Sequence, residues 1–223
     1  MTLTRPDDSA TTDSATEKIL FAAEEVFAQW GFDGTGMKAI AERAGVSQAL
    51  LHYHYGTKDR LYAEVIRHRS GLINDRRLEL LEQVDLEAAA ALARVIEALV
   101  RTPPGPEGGD RASPRVSSRL VVGRERDQVL VRECYDPMAR RFVAALHRAC
   151  PELGAEGAGL GYAFTLGVLI SVIARDGRPE RLTGADEGEL METEALIDRI
   201  VAYSEGGLLA LARARGADKN TGP

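Results

Sequence analysis

The stretch TGMKAIAERAGVSQALLHYHYGTKDRL, Thr35 to Leu61, decides how this chain folds. Two short helix patterns are joined there by a glycine turn, and a third helix start follows at once. Ala41 lies four residues before Gly45, which puts a methyl group where two helices must cross closely. Gly45 ends the first helix, because a residue without Cβ takes the left-handed conformation at no steric cost. Ser47 is placed to cap the second helix by offering its hydroxyl to the amides of the first turn. Thr57 is placed to do the same for the helix that begins at Lys58. This order is that of a helix-turn-helix, whose second helix lies in a DNA major groove.

A step of 100° per residue from Gln48 puts Gln48, Ala49, His52 and Tyr53 on one side of the second helix. Leu50, Leu51, His54 and Tyr55 point the other way, towards a core. An amide, a methyl, an imidazole and a phenol suit base edges or phosphates: glutamine pairs with adenine N6 and N7, and the alanine methyl touches thymine. Lys58, the first amides of its helix and the hydroxyl of Thr35 suit a phosphate. The candidate DNA contacts are therefore Thr35, Ser47, Gln48, Ala49, His52, Tyr53 and Lys58, with His54 added from the same short helix. The plainer reading of His52 and Tyr53 is that of ordinary surface residues on a helical body.

GMKAIAERAGVSQALLHYHYGTKDRLYAEVI resembles the DNA-binding segment of the TetR (tetracycline-repressor-type) regulators. Ile40, Ala41 and Ala44, then Gly45-Val46-Ser47, Leu51, an aromatic-rich helix end and Lys58 before an acid carry the resemblance. Upstream, AAEEVFAQWGFDGT also fits, with Phe27 and Trp30 packing the first helix and Gly31 ending it. The close match runs from Glu17 to Ile66. Gly36 departs from the Ser or Thr usual at that cap, and Leu50 from the usual Thr or Ala. The resemblance implies a homodimer on a pseudo-palindromic operator, with a small-molecule effector held in the second domain and release from DNA when it binds. It also implies a dimer interface built from the last two helices.

Composition bounds the rest. A chain of 223 residues with 44% apolar and 5% aromatic content, dominated by Ala, Leu, Arg and Glu, should be all-α. About nine helices are expected, as a helix-turn-helix head plus a helical ligand-binding and dimerisation domain. Net charge is -6. In residues 14–69 the cations Lys18, Lys38, Arg43, Lys58, Arg60, Arg67 and Arg69 are matched by Glu17, Glu24, Glu25, Asp33, Glu42, Asp59 and Glu64. DNA binding must then rest on a few placed contacts doubled by dimerisation. A head without net positive charge also suits a TetR-shaped interaction protein that binds no DNA. Cys134 and Cys150 have no metal-ligand spacing, so no metal or cofactor is expected, and both should stay reduced in the cytoplasm. No signal peptide is evident in residues 1–16. An enzyme would need convergent acid, base or nucleophile groups; His147 and Cys134 lie thirteen residues apart with no supporting motif.

Along the chain, 1–13 reads as a disordered arm, 14–66 as the head, 67–215 as the second domain and 216–223 as a flexible tail. Helices are expected over Ala15–Trp30, Met37–Ala44, Ser47–Tyr55 and from Lys58 with a stripe of Leu61, Val65, Leu72 and Ile73. More are expected over Asp85–Val100, Arg115–Gly123 and Asp127–Cys150, where Pro137 kinks the helix or starts a new one. Thr102 to Pro114 is a Pro- and Gly-rich loop. Gly157 to Ala174 carries no charge over eighteen residues. Its glycines and lack of companions favour a buried helix, covered by a symmetric partner, over a membrane span. A last helix, Glu189–Arg213, completes a four-helix interface. Leu99, Leu120, Tyr135, Phe142 and Phe164 are candidate pocket or core residues. The scarcity of buried-looking charge points to an apolar or weakly polar effector.

Overall fold

The structure is a computed structural model that describes residues 8–101, 125–173, 177–186 and 193–220. Among them every regular element is helical. Helices α1 (Asp8–Gly34), α2 (Met37–Ala44), α3 (Gln48–Tyr55) and α4 (Lys58–Glu82) come first. Then come α5 (Ala91–Val100), α6 (Glu125–Cys134) and α7 (Asp136–Ala149). A 3₁₀ turn (Pro151–Leu153) leads to α8 (Gly154–Ile173), α9 (Arg178–Thr183) and α10 (Thr193–Asn220). The chain divides into two compact units, 1–70 with 105–130 and 71–104 with 131–223. The return of 125–130 to the first unit is not announced by the sequence. The expected loop at Thr102 to Pro114, the helix at Arg115–Gly123 and Leu120 lie outside the described residues.

In the first unit α1 packs on α2 and α2 on α3. The buried stripe of α1 is Ile19, Ala22, Ala23, Val26 and Phe27, spaced three and four apart as a helix face requires. Gly31, at φ 71 and ψ 176, breaks α1 as expected. Trp30 is exposed rather than packed, because it falls in the last turn before that break. The helix starts at Asp8, so residues 8–13 of the expected arm are helical. Likewise α10 continues through 216–220 of the expected tail.

In α4 Leu61, Val65, Arg69, Ile73, Arg77 and Leu81 form a buried line, one residue every four, with Tyr62, Ile66 and Ser70 buried beside it. Leu72 is exposed instead, one position off that line. Two arginines thus occupy an otherwise apolar seam. Arg69 meets the buried Glu24 at 3.5 Å. Among the described residues no carboxylate is paired with Arg77.

The second unit packs α5, α7, α8 and α10 around one core. Leu99, Phe142, Leu146 and Leu153 are fully enclosed in it. Residues 85–90 form a turn rather than the expected start of α5. Asp85 accepts the amide of Glu87 at 3.0 Å, and such local bonding competes with the helix. Pro137 opens α7, where its missing N–H costs nothing. Val129, in the middle of α6, is exposed. α8 is the one described helix long and apolar enough to cross a membrane. It packs instead against α7 and α10 and buries Ala158, Thr165 and Leu169. A Cβ at Gly161 would stand 2.9 Å from Leu208 Cγ, so that glycine sets the approach of α8 to α10 within one chain. Gly159, Gly167, Gly206 and Gly207 face open space.

Candidate nucleic-acid interface

α2 closes with the pairing that a left-handed glycine makes available. Gly45 N donates to Glu42 O at 3.2 Å and Val46 N to Ala41 O at 3.0 Å, with Gly45 at φ 66 and ψ 30. These two bonds are the Schellman pattern, and they fix the angle at which α3 leaves. Ser47 Oγ then accepts the amide of Leu50 at 3.1 Å, leaving its own hydroxyl proton free to meet a phosphate. At the far end Thr57 N donates to Tyr55 O at 2.7 Å across Gly56 at φ 68 and ψ -71. That is a γ-turn of the hand that L side chains resist, so glycine is required. Thr57 Oγ1 accepts Arg60 N at 3.3 Å, capping α4 as its position implied. α3 is thus held at both ends.

Its two faces separate as the 100° steps imply. Leu51 and Tyr55 are buried, while Gln48, Ala49, His52 and Tyr53 are exposed, Tyr53 by 83%. His54 is half-buried, its ring 5.3 Å from that of Tyr53 and 6.3 Å from that of Tyr55. His52 Nδ1 lies 2.8 Å from Gly56 O. A carbonyl only accepts, so Nδ1 carries the proton and a neutral ring turns Nε2 outward as an acceptor.

Two expected phosphate contacts are engaged elsewhere. Thr35 is 3% exposed, and its hydroxyl donates to Gly31 O at 2.6 Å. Lys58 Nζ donates to Phe32 O and Thr35 O, both at 2.9 Å, and sits 4.4 Å over the Phe32 ring. A lysine at the end of one helix satisfies orphan carbonyls and complements the dipole. The sequence carried a sign of this: a cation in the first turn of α4 is electrostatically misplaced for its own helix. Arg126 joins the cluster, 3.6 Å over Phe32 and 3.6 Å from Asp59. Arg43 is bound to Glu25 at 2.7 and 2.9 Å, and that partner raises its pKa further. Among the exposed cations of the described head, besides Lys18 on α1, are Lys38, loosely 3.8 Å from Glu42, and Arg60, at the start of α4 beside Gly56. Sequence reading passed over both, although each follows a helix start by two residues at most.

Tyr55 anchors α3 in the head but leaves its hydroxyl without a hydrogen-bond partner. Burial, with Glu64 adding repulsion, pushes its ionisation up to about 12. The fold thus favours the neutral phenol: this support is intact below pH 10 and is lost as pH climbs through about 12. Tyr55→Phe should keep or raise the melting temperature, since removing an unsatisfied buried hydroxyl relieves about 1 kcal/mol. It should also flatten the alkaline loss of the head. A marked drop at pH 7 by circular dichroism would show that the hydroxyl has a partner after all.

Comparison with known proteins agrees with this geometry. The HTH-type transcriptional activator FasR of Mycolicibacterium smegmatis is 39% identical over 74 residues, 33% of this chain and 34% of FasR. The HTH-type transcriptional regulator RutR of Escherichia coli K12 is 49% identical over 49 residues, 22% of this chain and 23% of RutR. The chain thus matches about a third or less of the length of these relatives. A crystal structure of a TetR-like transcriptional regulator from Rhodococcus sp. RHA1 is similar at a TM-score of 0.60 and 26% identity. It covers 87% of this chain and 96% of that one. Residues 19–65 match the profile described as bacterial regulatory proteins, tetR family. Residues 93–207, over half of the chain, match the tetracyclin repressor-like C-terminal domain, and the chain belongs to the TetR family.

Proposed function

We propose that the chain is a homodimeric, ligand-responsive transcriptional regulator that binds a pseudo-palindromic operator and acts in the cytoplasm as a repressor released by a small molecule. The observation that carries DNA binding is the outward face of α3, where Gln48, Ala49, His52 and Tyr53 stand together on a helix capped at both ends. Ser47, Lys38 and Arg60 flank it for phosphates, and His54 supports Tyr53 from the half-buried side. Dimerisation is supported by a second observation: Leu160, Phe164, Tyr203 and Leu209 of α8 and α10 are exposed, beside glycines that leave room for close approach. Apolar surface of that kind marks an interaction face. A ligand can act only by preferring one spacing of the two heads over another.

One observation favours a different reading, that of an interaction protein without DNA binding. Arg43, Lys58, Arg69 and Arg126 all hold the head together, which leaves few cations for a duplex. Mobility shift with the chain's own upstream region separates the two. A shift that weakens with salt, with a slope set by a few phosphate contacts, is expected. A folded dimer that gives no shift at low salt would leave only the interaction reading.

A further inference from the structure

We propose that Arg77 anchors an anionic small molecule, carrying a carboxylate or a phosphate, in the second unit. This deepens the ligand-responsive reading above and rests on it. Arg77 lies in the buried seam of α4 and is 5% exposed. Its Nε finds no hydrogen-bond partner. Burial lowers its pKa, opposed only in part by the phenols of Tyr162 and Tyr135. A guanidinium nonetheless keeps its charge at any physiological pH. Nor does Tyr162 provide the missing negative charge: burial raises its ionisation, and Asp136 raises it further, against the pull of Arg77. Asp136 itself stands 3.6 Å from Arg140. The contrast with Arg69, eight residues earlier on the same seam and faced by Glu24, is direct. A buried cation without a counter-ion is costly.

Other groups nearby are also incomplete. Asn74, one turn before Arg77 on the same face, donates to Cys134 O at 2.6 Å, but its Oδ1 has no partner. Thr165, one turn after Tyr162 on α8, is buried with an unpartnered hydroxyl. Leu78, Leu166, Tyr135 and Tyr162 are partly buried against the apolar core. One anionic head, with an apolar body and a further polar group, would satisfy this set. Such a ligand differs from the apolar or weakly polar effector expected from the sequence, where the stripe of α4 runs through Leu72 and leaves Arg77 out.

The test uses the full chain and Arg77→Met, with octanoate, benzoate and octyl phosphate against octanamide and benzamide. Without ligand, the variant should melt at or above the native temperature, since it removes an uncompensated buried cation. At least one charged probe should raise the native melting temperature by about 5 °C at roughly a hundredfold excess over its Kd, with no rise in the variant or with the amides. Octyl phosphate alone, or the acids alone, would tell phosphate from carboxylate. A lower melting temperature of the ligand-free variant, equal protection of both proteins, or no protection by any charged probe would each overturn the assignment. Operator binding is followed in the same samples. Its absence from the native chain, with acid protection intact, would sink the regulator reading and leave the Arg77 site standing.

Discussion

Replacing Gln48 and Tyr53 together with alanine will abolish sequence-specific DNA binding while the chain folds and dimerises as before. Both side chains are exposed, Tyr53 by 83%, and neither caps a helix or carries a core contact. The ring of Tyr53 stands edge-on to that of His54, at 5.3 Å between centroids. Surface changes of this kind shift stability by about 0.5 kcal/mol or less. A well-placed base contact is worth about 1–3 kcal/mol, and a two-fold dimer makes each one twice. The Gln48 contact alone then accounts for about 2–6 kcal/mol, or roughly 30-fold to twenty-thousandfold in Kd, and the Tyr53 contact adds to it. Competition with non-specific DNA separates the terms, because the phosphate contacts proposed for Arg60 and Lys38 are untouched by the variant. Its salt slope should stay near the native value while discrimination disappears. An operator Kd within threefold of native would mean that another face of the head meets the duplex.

The reason this face could be read without coordinates is local. Gly45, Ser47 and Thr57 act within four residues of themselves, and the 100° step then places Gln48, Ala49, His52 and Tyr53 on one side. The same locality explains Pro137 at the start of α7 and the break at Gly31. What the sequence did not display was long-range. Lys58 and Thr35 looked like phosphate ligands because their partners, the carbonyls of Gly31, Phe32 and Thr35 itself, are backbone atoms that no side-chain pattern displays. Arg77 was missed for a related reason: a charge in an apolar seam is visible only once the seam is traced by fours through Arg69. Composition also misled at Asp85, where a residue able to bond its own backbone turned the chain away from helix. Local chemistry was legible; pairings across helices were not.

A large loss of stability in the head is expected from Lys58→Met. Methionine keeps the length and the apolar stem of the side chain but has no protons to give. Phe32 O and Thr35 O, each 2.9 Å from Nζ, then lose their donor at the point where the first helix ends. Charge-assisted bonds contribute about 1.5–3 kcal/mol each, and the cation 4.4 Å over Phe32 adds about 0.5–1 kcal/mol. These terms share one group and do not add fully, so the net cost is about 2–4 kcal/mol. The two units need not unfold together, so the fall should appear in a first transition assigned to the head, lowered by roughly 10 °C or more. Thr35→Val, which removes the 2.6 Å bond to Gly31 O, should lower the same transition by a smaller amount. The rival assignment of Lys58 to a phosphate makes the opposite forecast: melting unchanged, and a DNA salt slope reduced by about two per dimer. Scanning calorimetry of the free variant beside salt titrations of its DNA complex distinguishes the two. Native melting with a reduced slope would return Lys58 to the interface, and α1 would then need another explanation for how its last carbonyls are satisfied.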